Sequence, residues 1–287
     1  MLNTLYHMLD PVAFSIGVIS VRWYGIAYLL GFACAGFLIY AYSKRWKLHF
    51  AAYDLLVFVC YCAFSLIIFA RLIYCIVYGD GYYFKHPLEI LALNRGGMSF
   101  HGGLIGAIIG GLLYAKHFRV QFLTLADLVA CVAPVGLFFG RCANFINGEL
   151  YGAPTNSALG VDFLGNGIFY HPSQLYEAAL EGIVLFIILF MLSRKVPARP
   201  CGTFLGAFLV FYGVARFCLE FIRLPDSQIG YFFGTWGTMG QLLCTLMVIA
   251  GVCLLIYAHK KNRPQKLFEY AAEEKQQQRE SEAEKQD

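Results

Sequence analysis

The sequence predicts an all-α membrane protein, a polytopic bundle of seven transmembrane helices. Of its 287 residues, 59% are hydrophobic and only 14% are charged, whereas soluble domains carry about 25% charged residues. Seven mainly apolar stretches also approach the roughly 20 residues that a helix needs to cross a bilayer core. This composition excludes a disordered chain and a disulfide-rich secreted scaffold, and it does not suggest a nucleic-acid partner.

The apolar stretches organise residues 1–258 into one transmembrane domain. They cover residues 19–42, 53–78, 97–115, 123–141, 173–193, 202–222 and 236–258. Arg22 interrupts the start of the first stretch and no small-residue cleavage site follows, so we expect this segment to be a retained span, not a signal peptide. In the third stretch, glycines between Gly102 and Gly111 favour close packing of helix backbones. Residues 259–287 are rich in Glu, Lys and Gln and predict a polar tail.

Basic residues are distributed unevenly among the loops, and this distribution predicts the orientation. The larger group follows spans one, three, five and seven: Lys44, Arg45, Lys47, Lys116, Arg119, Arg194, Lys195, Arg199 and the basic residues from Lys260 onward. Loops enriched in Lys and Arg face the cytoplasm. We therefore expect the N-terminus to face outward, and the tail to be cytoplasmic.

Five arginines lie inside the spans or at their outward ends, without any lysine. They are Arg22, Arg71, Arg141, Arg216 and Arg223. An arginine at the centre of a membrane helix costs about 2.5–3.5 kcal/mol on insertion scales, so this group needs anions. The carboxylates at that depth are few: Glu149, Glu177, Glu181 and Glu220. Guanidinium groups match phosphate oxygens in a bidentate geometry, which favours a phospholipid headgroup as the counter-ion. A structural ion-pair network is the alternative interpretation.

Other polar residues crowd the same outward region. His101 and Ser99 lie among glycines near the outer end of the third span, and histidine changes protonation between pH 5 and 8, as a general base requires. Arg141, Asn144 and Asn147 recur every three residues and should share one helix face. Ser173 follows Pro172, an arrangement typical of a helix start. Arg216, Glu220 and Arg223 are spaced so that they can form ion pairs on one helix face.

Four motifs in order resemble the prolipoprotein diacylglyceryl transferase family. They are H-G-G-L-I-G at 101–106, G-R-x-x-N-F-I-N-G-E-x-x-G at 140–152, H-P-S-Q-L-Y-E at 171–177 and R-x-x-x-E-x-x-R at 216–223. D-P-V-x-F-S-I-G at 10–17, W-Y-G at 23–25 and R-L-P-D at 223–226 extend the similarity. The resemblance covers about residues 10–258 and leaves only the tail outside.

The resemblance implies an enzyme of the bacterial inner membrane that begins lipoprotein maturation on the periplasmic side. Such an enzyme transfers the diacylglyceryl group of phosphatidylglycerol to the thiol of a lipobox cysteine in a preprolipoprotein signal peptide and releases glycerol 1-phosphate. The family's essential residues fall on Arg141, Arg216 and His101. Its further functional positions fall on Tyr24, Asn144, Gly152, Glu220 and Arg223. Members with histidine in place of Arg22 argue against a fixed chemical role for that residue.

We predict catalytic roles for Arg141, Arg216 and His101 and substrate-binding roles for a larger set. That set is Tyr24, Asn144, Asn147, Gly152, Glu220, Arg223 and Arg71. His101 is the candidate base, with Glu149 or water as alternatives. The substrate supplies the nucleophilic thiol, so Cys142 is a bystander. No cofactor is implied, and no metal, because H-E-x-x-H and paired C-x-x-C spacings do not occur.

Two other functional classes fit parts of the pattern. A transporter or flippase would carry an anionic lipid or solute along the arginines, yet the inner halves of the spans offer little charge beyond Asp54 and Asp127. A purely structural scaffold would leave the five arginines without enough anions. The one-sided distribution of charge therefore favours the enzyme.

Overall fold

A computed structural model describes residues 1–17, 19–92, 96–195, 198–223 and 237–268, and these are mostly helical. The helices are α1 (Leu2–His7), α2 (Trp23–Trp46), α3 (Ala52–Val77), α4 (Tyr82–Lys85), α5 (Phe100–Phe118), α6 (Phe122–Asn147), α7 (Ser173–Ser193), α8 (Thr203–Leu219) and α9 (Met239–Lys261), with a 3-10 turn at Pro87–Leu91. Strands β1 (Val12–Ile16) and β2 (Ile19–Arg22) form an antiparallel hairpin. The all-α prediction is confirmed apart from this hairpin.

Each of the seven predicted spans contains a helix. Five helices, α2, α3, α6, α7 and α9, are long and apolar enough to cross a membrane, and α8 is a shorter apolar helix. Helix α5 coincides with the third predicted span. The count of seven crossings and the orientation of the termini remain predictions. Arg95, the Leu224–Asp226 part of the R-L-P-D motif, residue 236 and residues 269–287 lie outside the described residues.

The start of the first span was predicted wrongly. The first span was expected to begin at residue 19, but residues Ile19–Arg22 pair with β1 and the helix begins at Trp23. The β-branched residues Ile19 and Val21 favour a strand, and the paired backbone continues to the register Val12 with Arg22. Arg22 therefore lies at the exposed end of a strand, not within a membrane helix.

The chain divides into two compact units, Met1–Tyr42 with Asp127–Gln265 and Ser43–Ala126 with Lys266–Asp287. In the first unit, α8 packs along α9 through facing glycines, because a Cβ on Gly206 would lie 3.1 Å from the carbonyl oxygen of Gly251. The buried Asp127 caps α8 by accepting N–H groups of Gly202 and Leu205 at 2.7 and 2.8 Å. Its carboxylate satisfies N–H groups that a helix start leaves unpaired.

The second unit is built on α3 and α5, which pack together through the glycines of α5. A Cβ on Gly106 would overlap the backbone of Ser65, and one on Gly110 would overlap the backbone of Tyr61. A Cβ on Gly103 would instead make an ordinary contact with Leu66 at 3.5 Å. The backbones can therefore approach only because side chains are missing at two of these positions. The predicted packing role of these glycines is confirmed.

Replacing Gly110 with alanine should destabilise the second unit, because the added methyl must displace backbone of α3. We expect a cost of about 1–3 kcal/mol, as in other overpacked sites. Gly103→Ala is the matched control and should leave the thermal unfolding midpoint in detergent close to that of the wild type. Equal midpoints for the two variants would contradict the packing described here.

Candidate functional site

Three arginines of the first unit converge on the carboxylate of Glu177. Arg141 lies on α6, Arg216 on α8, and Arg223 four residues after the end of α8. Arg141 Nε is 2.6 Å from Glu177 Oε2, and Arg223 Nη1 is 2.6 Å from Oε1. Arg216 Nη1 lies 3.7 Å from the same Oε1. Glu177 therefore joins three segments that are distant in sequence.

Two more glutamates complete this cluster, which we call the arginine–glutamate network. Glu181 Oε2 is 3.6 Å from Arg141 Nη2. Glu220 Oε2 is 2.9 Å from Arg216 Nη2 and 3.9 Å from Arg223 Nε. The predicted pairing of Glu220 with Arg216 and Arg223 is confirmed, but the three residues do not share one helix face, because α8 ends at Leu219 and Arg223 lies in a bridge with Gly152. With all six groups ionised, the formal charges of the network cancel.

Local backbone features bring these side chains together. Helix α7 is α-helical at Ser173–Glu177 and becomes a π-helix at Ala178–Val184, a wider turn often found at functional sites. Gly182 lies against α6, because a Cβ there would be 2.7 Å from Phe138 Cβ. This contact places the two glutamates of α7 beside Arg141, one turn further along α6. Gly240 at the start of α9 likewise allows the approach of the Glu220 carboxylate.

The arginines and the glutamates of the network differ in burial. The side chains of Arg141, Arg216 and Arg223 are 13–17% exposed, whereas Glu177 is 1% exposed. The carboxylates therefore hold the inner side of the cluster and the guanidinium groups form its accessible side. Among the described residues, Arg216 Nη1 has no hydrogen-bond partner although it is buried. Arg216 Nη1 thus remains an unused donor on the inner side of the network, and the accessible side is formed by the partly exposed guanidinium groups.

A second polar group, the Glu149 cluster, lies at the turn after α6. Glu149 Oε1 accepts hydrogen bonds from Asn144 Nδ2 at 2.8 Å and from Asn147 Nδ2 at 3.3 Å. The Tyr24 hydroxyl lies 3.2 Å from that of Tyr28 and within electrostatic reach of Glu149. Gln174 anchors the turn to α7 by donating to the Glu149 carbonyl at 2.7 Å. Asn144 and Asn147 do share a face as predicted, but their partner is this cluster, and Arg141 pairs elsewhere.

Gly152 acts through backbone contacts. It pairs with Arg223 as an isolated antiparallel bridge, and its N–H donates to the His171 carbonyl at 2.8 Å. A Cβ on Gly152 would collide with the Ile222 carbonyl and lie 2.9 Å from His171 Cβ. The segment that carries Arg223 is therefore fixed by a position that tolerates only glycine.

Arg71 belongs to the second unit, where its guanidinium is engaged with the protein's own backbone. Its nitrogens donate to the carbonyls of Glu89, Ile90, Ala92, Gly96 and Gly97 at 2.6–3.3 Å. The group also lies over the rings of Tyr74 and Tyr83 at 5.8 and 5.2 Å. Arg71 holds the loop before α5, and a phosphate would have to compete with these carbonyls. Its predicted role in substrate binding has no support in this arrangement.

His101 also belongs to the second unit. It is the second residue of α5, is exposed, and contacts the ring of Phe100. The preceding Ser99 caps the helix, because its Oγ accepts the N–H of Gly102 at 3.2 Å. Its place at a helix start leaves the imidazole accessible, and its role as a base remains a prediction.

An apolar groove of about 560 Å³ lies in the first unit beside the network. Side chains of α2, α6 and α7 line it: Ala33, Cys34, Phe37, Leu38, Pro134, Val135, Phe138, Phe139, Gly182, Ile183 and Phe186. Gly182 directly follows Glu181, and Phe138 precedes Arg141 by three residues. An apolar surface therefore adjoins the charged network along two helices.

The protein supplies the three network arginines with anions of its own, which the sequence did not predict. It predicted that the arginines would depend on a phosphate counter-ion, but Arg141, Arg216 and Arg223 pair with Glu177, Glu181 and Glu220. A structural role would therefore not leave these three arginines without anions. The sequence did contain a signal for these ion pairs: Glu177 and Glu181 lie four residues apart within an apolar span, and buried carboxylates require partners.

The fold and the network define a class: a polytopic helical membrane protein with a partly accessible, arginine-lined site. A family profile described as prolipoprotein diacylglyceryl transferase matches residues 11–257. The chain therefore belongs to the prolipoprotein diacylglyceryl transferase family, and its activity class is that of a transferase.

Curated relatives extend the similarity over nearly the whole chain. The phosphatidylglycerol–prolipoprotein diacylglyceryl transferase of Hydrogenovibrio crunogenus is 44% identical over 263 residues, covering 90% of this chain and 97% of its own length. Proteins with the same name from Geobacter sulfurreducens and Oleidesulfovibrio alaskensis are 43% and 42% identical. These two cover 88% and 90% of this chain, and each matches over 96% of its own length.

Gly152→Ala should lower the transferase activity while the protein remains folded. The added methyl must push away the backbone at Ile222 and so displace Arg223, and an error of about 1 Å in a positioning group can cost about 100-fold in rate. Gly140→Ala is the matched control, because a Cβ there meets nothing within 4 Å. Thermal unfolding first establishes that both variants are folded, and their initial rates of transfer are then compared. Equal rates for the two variants would contradict the positioning role of Gly152.

Proposed function

We propose that this chain transfers the diacylglyceryl group of phosphatidylglycerol to the thiol of the lipobox cysteine of prolipoproteins, releasing glycerol 1-phosphate. The relatives carry the names of these substrates. The observation that carries the proposal is the convergence of three partly exposed arginines around Glu177. A phosphodiester is the part of phosphatidylglycerol that such a group of donors recognises best.

In the proposed reaction the arginines act on the phosphate. Arg141 and Arg216 bind the phosphodiester oxygens and stabilise the charge that develops as the glyceryl carbon–oxygen bond breaks. This is electrostatic stabilisation by donors that are already in place before the reaction. Glu220 and Arg223 position the pair, and Gly152 positions Arg223 through its backbone bridge.

The substrate supplies the nucleophile. The cysteine sulfur attacks the glyceryl carbon, a carbon–sulfur bond forms, the thiol proton passes to a base, and glycerol 1-phosphate departs. An ordinary thiol is mostly protonated at pH 7, so the base or a positive field must expose the thiolate. The protein's own Cys201 does not fit this role, because burial raises its pKa to about 11.

In this proposal the remaining predicted residues of the first unit contact the headgroup. Tyr24, Asn144 and Asn147 offer hydroxyl and amide groups to the glycerol oxygens, and Glu149 orients both amides. His101 is the candidate base, with Glu149 and water as the alternatives. Arg71 keeps the loop before α5 in place, and we assign it no contact with the phosphate.

The apolar groove fits the rest of the lipid. An acyl chain requires a long apolar surface that joins the headgroup site, and the groove adjoins Arg141 and Glu181 along α6 and α7. A transporter for a polar solute would have no use for such a surface. The combination of an arginine site and an apolar groove therefore favours an amphiphilic anionic substrate.

The proposal also includes a location. The chain lies in the bacterial inner membrane with seven crossings, its N-terminus periplasmic, its C-terminal tail cytoplasmic and its active site toward the periplasm. The distribution of Lys and Arg among the loops supports this orientation. The lipobox of an exported preprotein would then reach the site from the side to which it is translocated.

Arg141→Gln should abolish most of the transfer activity. We expect a loss of about 10²–10³ in rate, the usual cost of removing one preorganised donor. The assay uses the full chain in phosphatidylglycerol vesicles with a lipobox peptide and measures glycerol phosphate. Arg199→Gln, which lies outside the network and whose guanidinium donates to the Leu192 carbonyl, is the control and should retain activity.

Either of two results would overturn the proposed function. The wild-type protein could yield no lipidated peptide from phosphatidylglycerol vesicles, or Arg141→Gln could react at the wild-type rate. With vesicles of phosphatidylcholine, the protein should neither bind the lipid nor transfer a diacylglyceryl group. This control separates recognition of the headgroup from general partitioning of the peptide into a bilayer.

The role of His101 is tested by the pH dependence of the rate. A histidine base works in its neutral form, so the wild-type rate should fall as the pH decreases from 8 to 6. His101→Gln should be slow throughout and should lose this dependence. A variant with the wild-type rate and profile between pH 6 and 9 would exclude His101 and leave Glu149 or water as the acceptor.

A further inference from the structure

Glu177 occupies a central position that the proposed mechanism does not use. Its side chain is 1% exposed, and its two oxygens receive Arg141 from α6 and Arg216 and Arg223 from the end of α8 and the turn after it. Glu181, one turn further along α7, is equally buried but has a single arginine contact at 3.6 Å. Burial therefore does not distinguish the two carboxylates; the number of guanidinium groups does.

We propose that Glu177 is a positioning residue that serves as an internal counter-anion, holding the three guanidinium groups together and competing with the substrate phosphate for their donors. This inference rests on the proposed function. The native Glu177 carboxylate would weaken the binding of the phosphate and increase the rate of transfer. Its effect on anion affinity is therefore opposite to that of a substrate-binding residue.

The charges of the network explain why both effects follow. The Glu177 carboxylate and a bound phosphodiester would each place one negative charge beside the same three guanidinium groups. Neighbouring charges interact strongly where water is scarce, and the Glu177 carboxylate therefore opposes the binding of that phosphodiester. Without this carboxylate, the guanidinium groups would repel one another and leave the arrangement that the reaction needs.

Geometry shows how donors can be shared. Arg141 uses Nε toward Glu177 and Arg223 uses Nη1, so other nitrogens of both groups remain for a second anion. Arg216 Nη1 is buried without a hydrogen-bond partner among the described residues, and its distance to Glu177 is longer than a hydrogen bond. The carboxylate thus fixes the inner edge of the arginine group, and the phosphate would bind at the outer edge.

The test compares Glu177→Gln with Glu181→Gln as a matched control on the same helix. Binding is measured by titrating full-length protein with mixed micelles that contain phosphatidylglycerol or only phosphatidylcholine, without peptide. We expect Glu177→Gln to bind phosphatidylglycerol about 3–30-fold more tightly, from the loss of one nearby negative charge, with no change for phosphatidylcholine. In the transfer assay its kcat should fall about 10–100-fold, with a lower KM. Glu181→Gln should show a smaller change in both quantities.

Glu177→Asp keeps the charge but shortens the side chain, and it serves where Glu177→Gln fails to fold. It should retain the wild-type affinity for phosphatidylglycerol and lose kcat, since at least one guanidinium contact breaks. Weaker binding of phosphatidylglycerol by Glu177→Gln, or a wild-type kcat in either variant, would overturn the inference. If the wild-type protein performs no transfer, the proposed function fails, and the binding titrations still decide whether Glu177 competes with an anionic headgroup.

Discussion

The arrangement of the first unit depends on the need to neutralise three arginines within a largely apolar bundle. Isolated charges there are expensive, and truncating one partner of a buried pair leaves the other unpaired. The glutamates of α7, together with Glu220 directly after α8, neutralise these arginines through contacts of 2.6–3.9 Å. Because these residues come from separate segments, the same ion pairs that permit burial also determine how α6, α7 and α8 are brought together.

Small residues make this charge pairing sterically feasible. Gly182 lets α7 approach Phe138, Gly240 makes room for Glu220, and Gly152 admits the backbone at Ile222. Each of these glycines lies next to the network in sequence or in space. Close approaches at these three glycines therefore help to hold the charged side chains in place, as a preorganised site requires.

The sequence was sufficient to predict the long apolar helices and the pairing of Glu220 with Arg216 and Arg223, but not the other charge pairs of the network. Apolar composition and span length locate α2, α3 and α5 to α9, because the bilayer restricts helices to apolar stretches, but they do not predict the short helices α1 and α4. Spacing also predicts the i,i+4 pair Arg216–Glu220, since both residues lie on one helix. It could not reveal that Glu177 meets arginines from α6 and from the segment after α8, because contacts between elements depend on packing. The hairpin before α2 was missed for a different reason: residues 19–22 are apolar enough to resemble the start of a span.

The formal neutrality of the network bears on which lipids it can select. A site with three guanidinium groups and no carboxylates would attract any phosphate, including that of a zwitterionic headgroup. With Glu177 and Glu220 holding the inner side, the attraction at the accessible side is moderate and depends on placement of the donors. A headgroup that carries an ammonium next to its phosphate would bring a positive charge toward Arg141, Arg216 and Arg223, and like charges at short range disfavour binding. Selection of an anionic headgroup with an uncharged alcohol would therefore arise from repulsion by the same arginines that are proposed to bind the phosphate.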